Sequence, residues 1–290
     1  MTAEALPSAP ASATRKQGLG RHLLIGLALL WLVLIVLAPL GVILAEALRK
    51  GADAALASLG QPDVWAAARL TLLTTAVATP LNAVFGLAAA WCVTRFDFVG
   101  KTLLMALIDL PLSVSPVISG LVWVLLFGAS GWFAPWLNAA GLQIMFTPVA
   151  IILATILVTL PYVARELIPL MQQQGSDEEL AALTLGARPS AILFFITLPN
   201  VRWALLYGVL LANARAMGEF GAVSVVSGHI RGLTNTLPLH VEILYNEYDF
   251  VGAFATAALL AVLALVTLIL KSVLEHRHAD DLAARGAALT

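Results

Sequence analysis

Two ionisable residues lie inside an apolar stretch of this sequence, in the segment ARAMGEFG at 214–221. Arg215 and Glu219 are four residues apart, so in a helix they share one face. A charge inside a membrane-spanning segment is costly unless it is paired or faces a wet cavity. Two interpretations follow. The residues form an ion pair within the helix that neutralises itself, or Arg215, tuned by Glu219, lines a path for an anion.

A second polar cluster lies in the segment IDLPLSVSPVISG at 108–120. Pro111 and Pro116 disrupt the helical hydrogen-bond ladder around Ser113 and Ser115. A helix that is broken in mid-membrane can offer hydroxyls and N-terminal N–H groups to an anion. The alternative, which the residues leave equally open, is a kinked helix whose serines bond to their own backbone.

Asp109 is the carboxylate nearest to that cluster. It would repel an anion, so we expect it to lie off the path or to pair with a neighbour such as Arg69. Together with Glu219 it is also a candidate for ion coupling. A self-sufficient, ion-coupled secondary transporter is therefore a rival hypothesis.

Other kinds of chemistry find little support in the residues. The triplet Gly100-Lys101-Thr102 resembles the end of a phosphate-binding loop, but the glycine that should open such a loop falls at Arg95. The five histidines are scattered, and the single cysteine, Cys92, lies inside an apolar run. We therefore expect no metal site, no cofactor and no catalytic residues. The net charge of −1 disfavours nucleic acid as a partner.

The elements that carry these residues are apolar helices. Of 290 residues, 60% are hydrophobic and only 11% are charged, against about a quarter charged in soluble domains. Several runs exceed the roughly 20 residues that cross a bilayer. The sequence thus predicts an all-α, polytopic integral membrane protein with six transmembrane helices. The predicted spans are 22–48, 64–94, 102–127, 148–165, 203–226 and 250–274.

The distribution of basic residues predicts the orientation of these spans. With the N-terminus inside, eleven of the sixteen lysines and arginines fall on the inner side and three on the outer side, in agreement with the positive-inside rule. Both termini are then cytoplasmic. We expect a disordered tail at 1–21, a six-helix domain at 22–274 and a second tail at 275–290, with the longest external loop at 227–249.

The segment between spans four and five, on the predicted inner side, begins like a well-defined helix. Ser176 followed by Glu179 is a capping-box pattern. Leu180 and Leu183 then fall on one helical face. Gly186 is suited to the left-handed conformation that ends a helix. These features predict a short surface helix that exposes two leucines.

The same segment, 176–200, then turns back into the membrane. Pro189 is suited to the first turn of a second helix over 190–196. Leu198-Pro199 is expected to break the chain again and to start span five. The prediction is a rigid elbow across the inner membrane face, which fits a docking site for another protein better than a plain loop.

The elbow resembles the cytoplasmic loop signature of the permease subunits of bacterial ATP-binding-cassette (ABC) importers. That signature reads Glu-Ala-Ala, three residues, Gly, nine residues, Ile-x-Leu-Pro, and Leu180 replaces its acidic residue here. The resemblance implies a type I ABC importer permease fold and a loop that docks onto an ATP-binding subunit. The residues assigned to this docking loop are Glu179, Leu180, Ala181, Ala182, Leu183, Gly186, Ile196, Leu198 and Pro199.

The segment from 214 onward is similar to the oxyanion branch of these permeases, and the stretch TLPLHVEILYNEYDFVGAFATAALL is most similar to the sulfate/thiosulfate permeases of the CysW type. Molybdate/tungstate permeases are the alternative. The resemblance implies two copies of an ATPase, a second homologous permease, a periplasmic sulfate/thiosulfate-binding protein and a bacterial inner membrane. Because such systems place tight recognition in the binding protein, we favour the ion pair for Arg215 and Glu219. Ser113 and Ser115 remain candidates for the path.

Overall fold

The computed structural model describes the backbone of residues 19–288. The predicted tail at 1–21 lies almost wholly outside this range. Every regular element in the described range is helical. The elements are α1 (Leu19–Ala47), α2 (Ala52–Leu59), α3 (Pro62–Arg95), α4 (Lys101–Ser113), α5 (Pro116–Phe127), α6 (Ala134–Ala139), α7 (Pro148–Gln174), α8 (Asp177–Thr184), α9 (Pro189–Ile192), a π-helical turn (Leu193–Thr197), α10 (Leu198–Met217), α11 (Gly221–Ser227), α12 (Leu237–Asn246) and α13 (Phe250–Ala288).

Five helical segments in the described range are long and apolar enough to cross a membrane, and the pair α4 and α5 makes a sixth if it is one broken span. The chain bends by 110° between the two helices of this pair. Pro116 opens α5, and the residue before it is extended, as a residue before proline prefers. Pro111, by contrast, lies inside α4 without ending it.

Two predicted span boundaries are wrong. The span predicted at 148–165 continues to Gln174, so Arg165 lies inside a helix and not in a loop. The span predicted at 203–226 is interrupted, because α10 ends at Met217 and α11 starts at Gly221. At the C-terminal end, α13 continues as helix into the region predicted as a tail.

The chain divides into two units, residues 1–43 and 44–290. In the described part of the first unit, the large apolar side chains of α1 are exposed, as on a helix that lipid surrounds.

The core of the second unit is formed by α3, α7 and α10. Buried apolar residues of all three helices form one cluster, with Ala90, Leu167 and Val201 among its members. The helices α3 and α7 approach closely because Gly86 has no side chain. A Cβ at this position would lie 2.7 Å from the Cβ of Val163. Small residues permit this kind of helix contact inside a membrane.

A buried polar contact also joins α3 to α7. The Asn82 side-chain amide donates to the Thr159 hydroxyl at 2.7 Å and to the Ile156 carbonyl at 3.1 Å. The Thr159 hydroxyl in turn donates to the Thr155 carbonyl one turn earlier. Polar groups in a lipid-surrounded bundle must find such partners internally. The contact therefore fixes the register of the two helices.

The predicted external loop at 227–249 contains a helix, α12, that packs into the bundle. His240 on this helix is 1% exposed, and its Nδ1 accepts a hydrogen bond from the Asn235 amide at 3.0 Å. Burial lowers the pKa of His240, and the nearby Arg231 cation lowers it further. His240 is thus a neutral, structural side chain.

Substitution of Gly86 by alanine tests the close contact of α3 with α7. Alanine favours a helix by about 1 kcal/mol over glycine, but overpacking costs about 1–3 kcal/mol. The contact is with a Cβ atom and the backbone, which cannot rotate away. We expect Gly86→Ala to lower the melting temperature of the purified protein.

The control for that substitution is Gly60→Ala, where the added Cβ would meet its nearest neighbours at an ordinary 3.4 Å. An unchanged melting temperature for Gly86→Ala would contradict the packing account.

Candidate functional site

The predicted surface helix exists as α8, and it ends as the glycine predicts. Gly186 has a φ of +85°, in the left-handed region. Its N–H donates to the Leu183 carbonyl, and the Ala187 N–H donates to the Ala182 carbonyl, both at 3.0 Å. This pair of bonds is the Schellman arrangement, which satisfies the last carbonyls of a helix. Leu180 and Leu183 are each 54% exposed, as expected.

The predicted capping box is wrong. Within the described residues, the Ser176 side chain makes no capping hydrogen bond at the start of α8. The Glu179 carboxylate turns toward the bundle instead, where it accepts hydrogen bonds from Arg95 Nε and from the Thr197 hydroxyl, each at 2.7 Å. Leaving a nearly buried guanidinium without a carboxylate costs more free energy than leaving an exposed helix start without a cap. The ion pair therefore determines the orientation of Glu179.

These contacts connect four segments, and we call Arg95, Met171, Glu179 and Thr197 the Glu179 junction. Arg95 ends α3, and its Nη1 also donates to the Met171 carbonyl near the end of α7, at 3.1 Å. Thr197 ends the π turn that leads into α10. The Arg95 and Glu179 side chains are only 10% and 13% exposed. The junction therefore attaches α8 to all three core helices.

The second arm of the elbow differs from the prediction. The predicted break at Leu198-Pro199 is absent, because the helix runs without interruption from Pro189 to Met217. The π turn, which ends two residues before Pro199, allows this, with the Leu198 N–H donating to the Leu193 carbonyl. Proline removes one N–H and crowds the preceding turn, and a π turn widens the helix at that point. The elbow is thus continuous with the fifth span.

The remaining residues assigned to the docking loop occupy different environments. Ala181 and Pro199 are exposed, whereas Ala182, Ile196 and Leu198 are half-buried. Glu179 faces the bundle, so the assigned residues that remain exposed carry no charge.

Arg215 and Glu219 form the expected ion pair, with Nη1 and Oε2 2.8 Å apart. The pair is not within one helix, which corrects the prediction. Glu219 lies in the break between α10 and α11, and its Oε1 accepts a hydrogen bond from the Ala222 N–H at 2.9 Å. The carboxylate is stabilised there because it meets the positive end of α11 as well as Arg215. Its side chain is 1% exposed, against 32% for Arg215.

Ser113 and Ser115 flank the break between α4 and α5, and both are exposed. This break lies against the α10–α11 break. A Cβ on Gly221 would be 3.0 Å from the Cβ of Pro116, and one on Gly120 would be 2.7 Å from the Ala222 carbonyl. The two polar clusters of the sequence therefore meet at the contact of two broken helices.

Asp109 pairs with Arg165, with Oδ1 and Nε 3.2 Å apart. The suggested partner, Arg69, is not the partner found. The sequence missed this pair because Arg165 had been placed at the inner end of a span that in fact continues to Gln174.

Comparison with known families decides what kind of protein carries this site. The profile of the binding-protein-dependent transport system inner membrane component family matches residues 82–279. The chain belongs to this family. It is a multi-pass membrane component of a transport system, and the predicted class of protein is confirmed.

Relatives within the family extend over nearly the whole chain. The sulfate transport system permease protein CysW of Escherichia coli is 50% identical over 258 residues, which cover 89% of each chain. The CysW protein of Synechocystis is 49% identical over 257 residues, covering 89% of this chain and 93% of its own. The sulfate transport system permease protein CysT of Escherichia coli is 34% identical over 258 residues, covering 89% of this chain and 93% of its own.

A solved structure shows the same fold. A chain of a bacterial alginate ABC transporter, crystallised with an alginate pentasaccharide-bound periplasmic protein, superposes with a TM-score of 0.73. The match covers 88% of this chain and 93% of that one at 15% identity. The predicted type I ABC importer permease fold is thereby confirmed.

The two neighbouring glutamates of α8 provide a matched test of the junction. Breaking a buried pair from one side costs about 3–5 kcal/mol. We expect Glu179→Gln to loosen α8, which would show as faster hydrogen exchange at its backbone amides. Glu178→Gln is the control, because its partner Asn200 lies at the exposed surface.

Equal exchange in the two variants would mean that the contacts of Glu179 do not hold α8 in place.

Proposed function

We propose that this chain is the membrane-spanning permease subunit of an ABC importer for sulfate. The main support is identity of about 50% to CysW sulfate permeases along almost the whole chain, against 34% to CysT. ATP hydrolysis belongs to a partner subunit, and this chain converts it into movement of the helices. Thiosulfate has the same charge and a similar shape, so it is a second substrate of the same path.

The proposed docking surface for the ATPase is the exposed side of α8. Leu180 and Leu183 present apolar surface there, which suits insertion into a groove. Leu180 replaces the acidic residue of the loop signature, and Glu179 beside it is engaged in the junction. Docking at this loop therefore rests on apolar contact, while the neighbouring carboxylate holds the helix to the bundle.

Movement of α8 has a direct route into the bundle. The Glu179 junction attaches it to the ends of α3 and α7, and the continuous helix Pro189–Met217 connects the elbow to the α10–α11 break. A displacement of α8 by the ATPase would therefore reach the two facing breaks through rigid elements. Facing helix breaks can rearrange more easily than unbroken spans.

The proposed path for the anion passes these breaks. Ser113 and Ser115 supply exposed hydroxyls, and Arg215 supplies a partly exposed cation. Glu219 neutralises Arg215 and caps α11, so anion attraction at this point is weak. Weak attraction suits passage, because an ion that binds tightly does not leave.

The proposed assembly contains two copies of the ATPase, a second permease of the CysT kind and a periplasmic binding protein for sulfate. The chain lies in the bacterial inner membrane with both termini in the cytoplasm. The excess of basic residues on the α8 side supports this orientation.

The assembled complex provides the test of function. In proteoliposomes, binding protein loaded with sulfate should stimulate ATP hydrolysis and sulfate uptake, and binding protein without sulfate should not. Stimulation by molybdate but not by sulfate would contradict the assignment of substrate. Uptake that continues without ATP but collapses with the ion gradient would support the secondary transporter instead.

The docking role of the elbow predicts an uncoupled variant. Gly186→Glu places a charged side chain at a left-handed position of the docking loop, where nothing in the described structure lies within 4 Å of the added Cβ. The protein should insert and assemble, but ATP hydrolysis should no longer drive uptake. Uptake in proteoliposomes should fall at least tenfold.

Gly141→Glu is the matched control for that variant, since Gly141 has a φ of +64° and equally open surroundings but lies outside the elbow. Equal loss of uptake in both variants would point to backbone strain and not to docking.

A pair of variants can show whether Arg215 lines the anion path or only stabilises the fold. Arg215→Ala alone leaves a buried carboxylate unpaired, which lowers stability. Addition of Glu219→Gln removes that charge and leaves an amide oxygen to accept from Ala222 N–H. We expect the double variant to recover the melting temperature but not the uptake rate. Recovery of both would make Arg215 a structural residue only.

A further inference from the structure

The ion pair between Arg165 and Asp109 is exposed to an unusual degree for its place in the fold. The Arg165 side chain is 58% exposed and the Asp109 side chain 48%. Their contact joins Nε of the guanidinium to one carboxylate oxygen, at 3.2 Å. A guanidinium has five N–H donors in a planar fork, so a contact of this kind leaves most of its binding capacity toward the open side.

The pair lies along two apolar helices, α4 and α7, and not at their ends. Arg165 is about 9 Å along α7 from Met171, whose carbonyl belongs to the Glu179 junction. Asp109 is about 12 Å from the start of α4. Half-exposed charges on membrane-spanning helices cost several kcal/mol if they face lipid. The open side of the pair must therefore be wet or covered by protein.

The surroundings on α4 favour the wet alternative. Ser113 lies one turn after Asp109 on the same face of α4, and it is exposed. Directly after Ser113 the helix breaks, and this break packs on the α10–α11 break. The pair is thus about one helical turn, or 6 Å, from the hydroxyls of the proposed path.

The pair also resembles that of Arg215 and Glu219, which lies farther from the α8 end of the bundle. Gly208 of α10 lies against Val163 of α7, and Gln174 near the end of α7 bonds to Asn200 at the start of α10. With this antiparallel register, Arg215 is about 13 Å farther from the α8 end than Arg165. Each arginine is partly exposed and has one carboxylate partner.

We propose that Arg165, held by Asp109, is a second, low-affinity binding site for a tetrahedral oxyanion, nearer to the α8 end of the path than Arg215. The inference rests on the proposed function. The guanidinium supplies N–H donors to two oxygens of the anion. Asp109 orients the guanidinium and cancels its charge, so the dianion is held weakly and released on the side of α8.

The two partners of this site have opposite predicted effects, which distinguishes it from a structural salt bridge. In proteoliposomes that contain the complete transporter, inorganic sulfate inside the vesicle inhibits further uptake by occupying the site from the α8 side. Asp109→Asn leaves the arginine uncompensated, so about tenfold less internal sulfate should give half-inhibition. Arg165→Gln should raise the required concentration severalfold.

The matched controls are Lys101→Gln and Asp97→Asn. These residues form an exposed ion pair at 3.1 Å where α4 begins. The same changes of charge there should leave half-inhibition unchanged. The double variant Arg165→Gln/Asp109→Asn removes both charges together and leaves no unpaired charge, and it should resemble Arg165→Gln.

Three outcomes would overturn the proposal. Both single variants could shift half-inhibition in the same direction together with a lower melting temperature, as a structural pair would. Both single variants could lose the second permease during size-exclusion chromatography, which would show that the ion pair is a contact between subunits. The double variant could also match the wild type. Failure of sulfate-loaded binding protein to stimulate the wild-type ATPase would instead reject the proposed function itself.

Discussion

The organisation of this protein depends on one nearly buried ion pair, that of Arg95 with Glu179. A guanidinium at the end of a membrane helix needs a carboxylate, and Glu179 of the surface helix α8 supplies it. The Thr197 hydroxyl and the Met171 carbonyl complete the coordination of the two charged groups. Without this interaction α8 would lose its nearly buried contact with the bundle. With it, α8 is a rigid extension of the bundle.

The sequence predicted the parts of the fold that depend on local chemistry. Apolar runs located the spans, and Gly186 located the end of α8 because few residues tolerate its backbone conformation. Prediction failed where a distant partner competed with a local one. Glu179 could cap α8 or pair with Arg95, and only the folded structure brings Arg95 within reach. The Arg165–Asp109 pair was missed because α7 continues beyond the predicted end of its span, which places Arg165 inside a helix and beside α4.

In the candidate site, too, local features were predictable and contacts between distant segments were not. The residues of both polar clusters were identifiable as charges and hydroxyls inside apolar segments. Their juxtaposition was not, since it depends on the packing of α5 against α11, where Gly120 and Gly221 allow close approach. The break after Met217 was also hidden, because Gly218 and Gly221 are as compatible with tight helix packing as with a turn.

The π turn at Leu193–Thr197 has a geometric consequence for the elbow. A π turn holds one residue more than an α turn, and each helical residue advances the chain by about 100° around the axis. The direction in which the chain leaves Pro189 toward α8 is therefore set by that single additional residue. Loss of any one residue from 193–197 would turn the apolar side of α8 by roughly a quarter of a revolution about the helix axis.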